Sequence, residues 1–252
     1  GFQMAGCDII GAIERDKWAA DTYSFNHPNA KMMLGDIESF SDADITTTID
    51  GTPDIIIGGP PCQGFSICRK NAGDPKDPRN SLFTEFIRMA KIYSPQVMVM
   101  ENVPNIVRAK TKTCERVVDI IEKEFTNFGY HVYYNILAAS DYGVPQMRHR
   151  FVLIASKQEL IRPFPQKTYY AEEALPGLKK CPTLWDAISD LPEIEACQGA
   201  EEMPYTIEPQ NDYQRYCRGD NTVLHNHLAM KHTKRLVERF SLMTWGQSIS
   251  DI

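Results

Sequence analysis

Two rhythms of apolar and polar positions alternate along the first 160 residues. Short runs rich in Ile and Val, at 7–14, 54–58, 97–101, 131–137 and 151–155, read as strands. Longer amphipathic stretches at 17–25, 81–93 and 114–128 read as helices. In the second of these, Leu82, Phe86, Met89, Ala90 and Tyr93 recur three and four apart, the spacing of one buried face. Ser81 stands where an N-cap belongs, with Glu85 in the first turn. Strands alternating with helices predict βαβ units and a mostly parallel sheet covered on both faces. The rhythm fades near Arg162, where prolines begin to punctuate the chain every few residues; beyond them only 231–243 looks helical. This divides the chain into a regular α/β domain, 1–160, and a loop-rich region, 161–252.

Composition changes this picture little. At 252 residues the chain can bury one large core, or one large domain plus a smaller one. No apolar run reaches the roughly 18 residues of a membrane span, and no charged-then-apolar leader opens the chain. Seven cysteines without CxxC spacing signal neither a disulfide framework nor a zinc site, so a reducing, cytoplasmic setting is expected. His225, His227 and His232 lack an acidic or cysteine partner at ligand spacing, so no metal is expected.

Charge matters more locally than globally. The net charge of −6 speaks mildly against a nucleic-acid partner. Between residues 61 and 112, however, nine basic residues face four acidic ones, a local +5. That stretch surrounds the most unusual segment of the chain, G-G-P-P-C-Q-G-F-S at 58–66. Glycines permit a close approach of main chain to a ligand. Pro60-Pro61 fixes the chain direction and offers no N–H donors. A rigid loop that presents Cys62 suits a nucleophile better than a packed thiol. A phosphatase-type loop needs arginine six positions after cysteine; Cys68 stands there, and Arg69 comes one too late.

In open parallel sheets ligands sit beyond the carboxyl ends of the strands. Those ends supply Glu14, the 58–66 loop and Glu101-Asn102. Glu14 stands where a carboxylate takes ribose hydroxyls. A carboxylate at a desolvated strand end, as expected for Glu101, suits a general acid. In Q-M-R-H-R at 146–150, alternation puts Arg148 and Arg150 on one side, aimed at a common acceptor.

Assembled in this order, the motifs resemble those of the DNA cytosine-5 methyltransferases across roughly residues 9–156. I-E-R-D-K-W is similar to the ribose-binding segment, G-D-I at 35–37 to the adenine-contacting turn, and G-G-P-P-C-Q-G-F-S to the nucleophile loop. E-N-V at 101–103 and Q-M-R-H-R complete the set. The resemblance implies a Rossmann-like S-adenosylmethionine-dependent methyltransferase sheet followed by the start of an irregular target-recognition region. It implies Cys62 as the nucleophile at C6 of cytosine, Glu101 as the donor at N3, and Arg150 with Arg148 at O2. Glu14, Arg15, Asp36, Ile37, Pro61 and Leu82 would hold the cofactor; Gln63, Ser66, Arg69, Lys70 and Arg79 would meet double-stranded DNA. The target base must leave the stack to be reached.

The setting implied is the cytoplasm of a bacterium, as the modification arm of a restriction system, with the enzyme monomeric. Two departures stand out. Arg15 occupies a position usually held by an apolar or aromatic residue. The family's opening strand and Phe-x-Gly-x-Gly turn, and its last two motifs, are not found in the chain. That strand lies mid-sheet in the family, so its neighbours are expected to lack ladder partners. A separate polypeptide supplying it, or a longer chain, is one expectation, and weak cofactor binding by these 252 residues is its corollary. The rival readings are an RNA methyltransferase of the same chemistry, a silent DNA- or partner-binding relative, and a nicotinamide-dependent oxidoreductase; the last gives Pro60-Pro61-Cys62 no role.

Overall fold

The structure, a computed structural model, describes residues 1–60, 82–111, 114–244, 247–249 and 251. Its elements run β1 (Gly11–Glu14), α1 (Lys17–Asn26), β2 (Lys31–Leu34), α2 (Asp42–Thr48), β3 (Ile55–Gly58), α3 (Leu82–Tyr93), β4 (Val97–Asn102), α4 (Val117–Asn127), β5 (His131–Ala138) and β6 (His149–Ser156). Then come β7 (Tyr169–Tyr170), β8 (Lys179–Lys180), α5 (Leu184–Ile188), β9 (Gly199–Pro204), α6 (Asp212–Arg218), β10 (Val223–Leu228) and α7 (Lys234–Ser241). By contacts the chain forms two compact units, residues 1–139 with 148–166, and residues 140–147 with 167–252.

The first unit holds a four-stranded sheet in the order β3-β4-β6-β5. Here β3 runs parallel to β4, while β6 is antiparallel to both β4 and β5. The sheet is therefore mixed, not mostly parallel. The hairpin-like return from β5 to β6 needs only the short connection 139–148, too short for a helical crossover. One face is fully buried: Met98, Met100, Phe151, Leu153 and Ala155 are all 0% exposed. They pack under α3 and α4, whose Phe86, Met89, Val118, Ile121 and Phe125 belong to the same cluster. Each such side chain contributes about 1.5–3 kcal/mol relative to exposure. Phe125 sits edge-on to Phe86 and Tyr130, with centroids 6.1 and 5.6 Å apart, in the geometry their ring quadrupoles prefer. On the opposite face Val97, Val99, Val152 and Ile154 are only half-buried, and Ile57 is exposed. Among the described residues the sheet is thus sealed on one face rather than both.

A second, parallel sheet consists of β1 and β2 alone. No ladder joins it to β3 among the described residues, although both sheets pack on one core through Ile13, Met33, Ile45, Ile49 and Ile56. Helix α3 ties the halves together. The Tyr93 hydroxyl donates to the carbonyls of Ile45 and Ile49 at 3.2 and 2.8 Å. Arg88 donates to the carbonyls of Ile37 (2.8 Å) and Phe40 (3.2 Å) and pairs with Asp42 at 2.7 Å. The outer edges of β1 and β3 thus lack ladder partners among the described residues.

The second unit is irregular, as the prolines suggest. A β9–β10 antiparallel pair forms its main sheet and β7–β8 a short parallel one. Buried Gln214 on α6 donates to the Asp186 carbonyl and the Ser189 hydroxyl, both at 2.8 Å, binding α6 to α5. His227 contacts the Pro192 carbonyl at 2.7 Å, His225 faces Glu202, and His232 lies edge-on to Phe240. No described helix is long and apolar enough to cross a membrane, and no three potential metal ligands gather among the described residues.

Candidate active site

The site is built where β3, β4 and β6 meet. Val97 opens β4 opposite Ser156, and the ladder runs to Asn102 opposite Phe151. Successive side chains of a strand alternate faces. Met98, Met100 and Asn102 therefore turn into the core, while Glu101 turns the other way with Val97 and Val99. Glu101 lies directly opposite Val152, and Arg150 is its diagonal neighbour on the same face, within reach of a long side chain. Arg150 Nε stands 2.5 Å from Glu101 Oε1. The arginine side chain is 24% exposed and the carboxylate 51%. Glu101 is thus not at a desolvated strand end, as its sequence context suggested, but at a half-open one with a cation already in place.

Arg148 fares differently. Strand β6 begins at His149, so Arg148 lies beyond the ladder, exposed, its carbonyl accepting from the Ala139 N–H at 2.8 Å. The structure brings Arg150, not Arg148, to Glu101.

The end of β3 approaches the same place. A Cβ on Gly58 would stand 2.8 Å from the Phe86 ring, so this glycine admits an α3 aromatic onto the strand rather than a ligand. A Cβ on Gly59 would stand 3.6 Å from Glu101 Oε2, which places the carboxylate beside the main chain leading into Pro60. Asn102, 3% exposed, donates from Nδ2 to the Pro60 carbonyl at 3.1 Å. The sequence pointed to Asn102 only as the strand-end neighbour of Glu101 and the middle of E-N-V, with no role assigned to it. Pro61, Cys62, Gln63, Ser66, Arg69, Lys70 and Arg79 lie outside the described residues.

Of the expected cofactor residues, Glu14, Arg15, Asp36 and Ile37 sit at the carboxyl ends of β1 and β2. Gly35 N–H donates to the Glu14 carbonyl at 2.9 Å and holds the two ends level. Glu14 Oε1 accepts from the Asp16 N–H at 2.8 Å, which leaves its second oxygen to accept from ribose hydroxyls. Asp36 Oδ1 caps the turn at Glu38 N–H, 3.1 Å away, and Oδ2 faces Arg15 Nη1 at 3.4 Å. Arg15 is exposed, so this pair is weakly held. Ile37 packs against the core cluster, and Leu82 opens α3 half-buried. Two acceptor carboxylates beside apolar Ile37 suit the ribose and adenine of S-adenosylmethionine, so the residues present fit that group.

An α/β domain with a carboxylate–guanidinium pair at its strand ends, beside Gly59 and the start of the proline pair, is the class of protein that the structure describes. Comparison with known proteins gives this class its family. The model of the C-5 cytosine-specific DNA methylase family matches residues 1–249. Type II methyltransferase M.DdeI of Desulfomicrobium norvegicum is 46% identical over 258 residues, covering 100% of this chain and 59% of that protein. M.AquIA of Picosynechococcus sp. is 33% identical over 207 residues, 76% of this chain and 83% of that protein. A prophage-encoded E. coli protein described as a candidate DNA modification methyltransferase shares the fold with a TM-score of 0.71 at 25% identity, over 96% of this chain and 71% of that one. The chain belongs to the C-5 cytosine-specific DNA methylase family. It spans about six tenths of the length of M.DdeI and of M1.HphI from Haemophilus parahaemolyticus.

Proposed function

We propose that the protein methylates C5 of a flipped-out cytosine in double-stranded DNA through a covalent bond between Cys62 and C6, as the modification arm of a bacterial restriction system. The supporting observation is the 2.5 Å contact of Glu101 with Arg150 beside Gly59. On cytosine, N3 and O2 are neighbours on one edge. A group acting at N3 and a donor at O2 must therefore be neighbours too, and this pair meets that demand before any base arrives.

The chemistry follows from the base. C5 of cytosine is a poor nucleophile until a thiolate adds at C6. Cys62 forms the S–C6 bond; the displaced electron pair moves toward N3, where Glu101 supplies a proton or a strong hydrogen bond. Arg150 holds O2 and keeps the ring in plane, and Arg148 stands near the end of the same strand. S-adenosylmethionine supplies the methyl group that C5 then accepts. Solvent then takes the C5 proton; its electron pair restores the C5–C6 double bond and expels Cys62 as the thiolate, while any proton given to N3 returns to Glu101. Glu14 would hold the ribose hydroxyls of the cofactor, Asp36 the adenine amino group, and Ile37, Pro61 and Leu82 its apolar surroundings. The basic residues Arg69, Lys70 and Arg79, with Gln63 and Ser66, would contact DNA. Residues 1–160 would carry catalysis and 161–252 lead into target recognition.

The test is a covalent trap. DNA carrying 5-fluorocytosine cannot release fluorine as a proton, so with the cofactor it should accumulate an adduct at Cys62, seen by peptide mass spectrometry. Cys62→Ser should give neither adduct nor turnover while still binding DNA. An active enzyme that forms no adduct refutes the mechanism, and methyl transfer to transfer RNA in preference to DNA refutes the substrate.

A further inference from the structure

We infer that Arg88 is a positioning residue for cofactor binding: its guanidinium fixes the turn 36–40 against α3 and so sets where the Asp36 carboxylate stands. The inference rests on the reading given above, in which Asp36 takes the adenine amino group, and extends it to a residue that touches no part of the cofactor.

The turn needs such a tie because the strand ladder stops short of it. Strand β2 pairs with β1 only as far as Leu34, opposite Glu14. The bond from the Gly35 N–H to the Glu14 carbonyl carries the pairing one residue further. There follows one turn of 3-10 helix, Ile37–Ser39, with several bonds internal to it. Asp36 Oδ1 accepts from the Glu38 N–H, and Ser39 donates from its N–H and its hydroxyl to the Asp36 carbonyl at 2.9 and 2.6 Å. Bonds of this kind shape a turn but do not fix where it lies. The last of them, from the Phe40 N–H to the Ile37 carbonyl, is stretched to 3.4 Å. That same Ile37 carbonyl accepts from Arg88 Nη2 at 2.8 Å, and the Phe40 carbonyl accepts from Nη1 at 3.2 Å. Both ends of the turn are thus bound to one planar group, 51 and 48 positions along the chain.

The guanidinium is itself held in place. Nε donates to Glu85 Oε2, one turn back on α3, and Nη1 to Asp42 Oδ1 at the start of α2, each at 2.7 Å. The Glu85 and Arg88 side chains are 17% and 22% exposed, so solvent screens this pair less than a surface one. From the other side the Phe40 ring closes on Gly35, where a Cβ would stand 2.7 Å from it. Pinned at two carbonyls and one ring, the turn leaves Asp36 Oδ2 as the oxygen on offer, met only by exposed Arg15 at 3.4 Å. A lysine could not replace the arginine, because one ammonium lacks the planar fork that spans two carbonyls and two carboxylates together.

Arg88→Lys isolates that fork, since it keeps the charge for Glu85 and Asp42. The probes are S-adenosylhomocysteine and S-inosylhomocysteine, which carries an oxygen in place of the amino group, each titrated calorimetrically into the full chain. The wild type should prefer the amino form, and in Arg88→Lys that preference should shrink by about tenfold, the scale of one hydrogen bond to a charged group. Affinity for the inosine form should change little, whereas a general loosening of the fold would weaken both alike. KM for S-adenosylmethionine should rise by a similar factor while KM for DNA stays within about twofold. Should the lysine variant not fold, Asp42→Asn withdraws one exposed anchor from the same fork and should shrink the preference by about two- to threefold. An unchanged preference in the folded variant overturns the inference. A wild type that binds both probes equally, or neither, removes the reading of Asp36 and the inference with it; a wild type that discriminates, beside a variant that discriminates as well, removes the inference alone.

Discussion

Glu101 and Arg150 meet where β4 ends and β6 begins. Their contact is diagonal across an antiparallel pair, so it depends on side-chain length and fork geometry rather than on main-chain register alone. Arg150→Lys keeps the charge but loses the planar fork that spans a carboxylate and a base oxygen together. It should lower kcat by about 100-fold, comparable to removing one preorganised donor from an active site, with DNA affinity little changed. Single-turnover methylation and a filter-binding isotherm would read the two effects; unchanged single-turnover rates would dismiss Arg150 from the chemistry. At this scale the sequence singled out Glu101 and Arg150 separately, and the structure brings them into contact at the ends of β4 and β6. The sequence could not separate Arg148 from Arg150, since alternation treats both alike and only the start of β6 at His149 tells them apart. Asn102 was visible as a strand-end residue, but its bond was not: the partner, Pro60, lies 42 positions away, and no local pattern announces such a bond.

Among the elements, the strands with long Ile and Val runs were the readable ones. Strands β3, β4, β5 and β6 and helices α1, α3 and α4 fall within a few residues of their expected bounds. Strand β2 and helix α2 were missed. Four residues of K-M-M-L carry no alternation, and D-A-D-I-T-T-T is rich in β-branched residues that disfavour a helix. Helix α2 forms because its start is capped and Ile45 is fully buried. Ser41 and Asp44 make a reciprocal capping box, with Asp44 Oδ2 accepting from the Ser41 N–H at 2.9 Å and its hydroxyl at 2.6 Å. Those bonds favour the charged carboxylate and hold its pKa below the ordinary 3.8. A lowered native pKa stabilises the fold above the unfolded value and loses that contribution as pH falls through the native one. Asp44→Asn should therefore be less stable than wild type at pH 6, with the gap narrowing once pH drops below 3.8. Urea midpoints for both proteins at pH 6 and pH 3 would show it, and a gap independent of pH would contradict the assignment. Asp186, bonded to Thr183 at the start of α5, should follow the same sign.

For the whole molecule, the instructive feature is that one core serves two sheets. The cluster under α3 and α4 reaches across to Met33, Ile45 and Ile49, Arg88 with Tyr93 fastens the segment that follows β2 to it, and among the described residues no ladder joins the two sheets. Cohesion there is a matter of side chains, which protect main-chain amides poorly. Hydrogen exchange should therefore be fast at the outward N–H groups of β1 and β3 and slow throughout β4 and β6, which have partners on both sides. Equal protection across all four strands would mean that another segment covers those edges. The sequence implied an α/β layer but not its division. Periodicity reports which residues are buried, whereas ladder order depends on which strands find each other.

The terminus of β4 has one more implication, for how this chain can vary. Glu101 and Asn102 are adjacent residues on opposite faces of a strand whose register with β6 is continuous from Val97 onward. Losing or gaining one residue between Val97 and Glu101 would turn the carboxylate into the apolar core and the amide out beside Arg150. Substitutions among Val97, Met98, Val99 and Met100 change only how well the layer packs, whereas their number is a count the active site reads. Length variation in this family should therefore be tolerated on either side of β4 and forbidden within it.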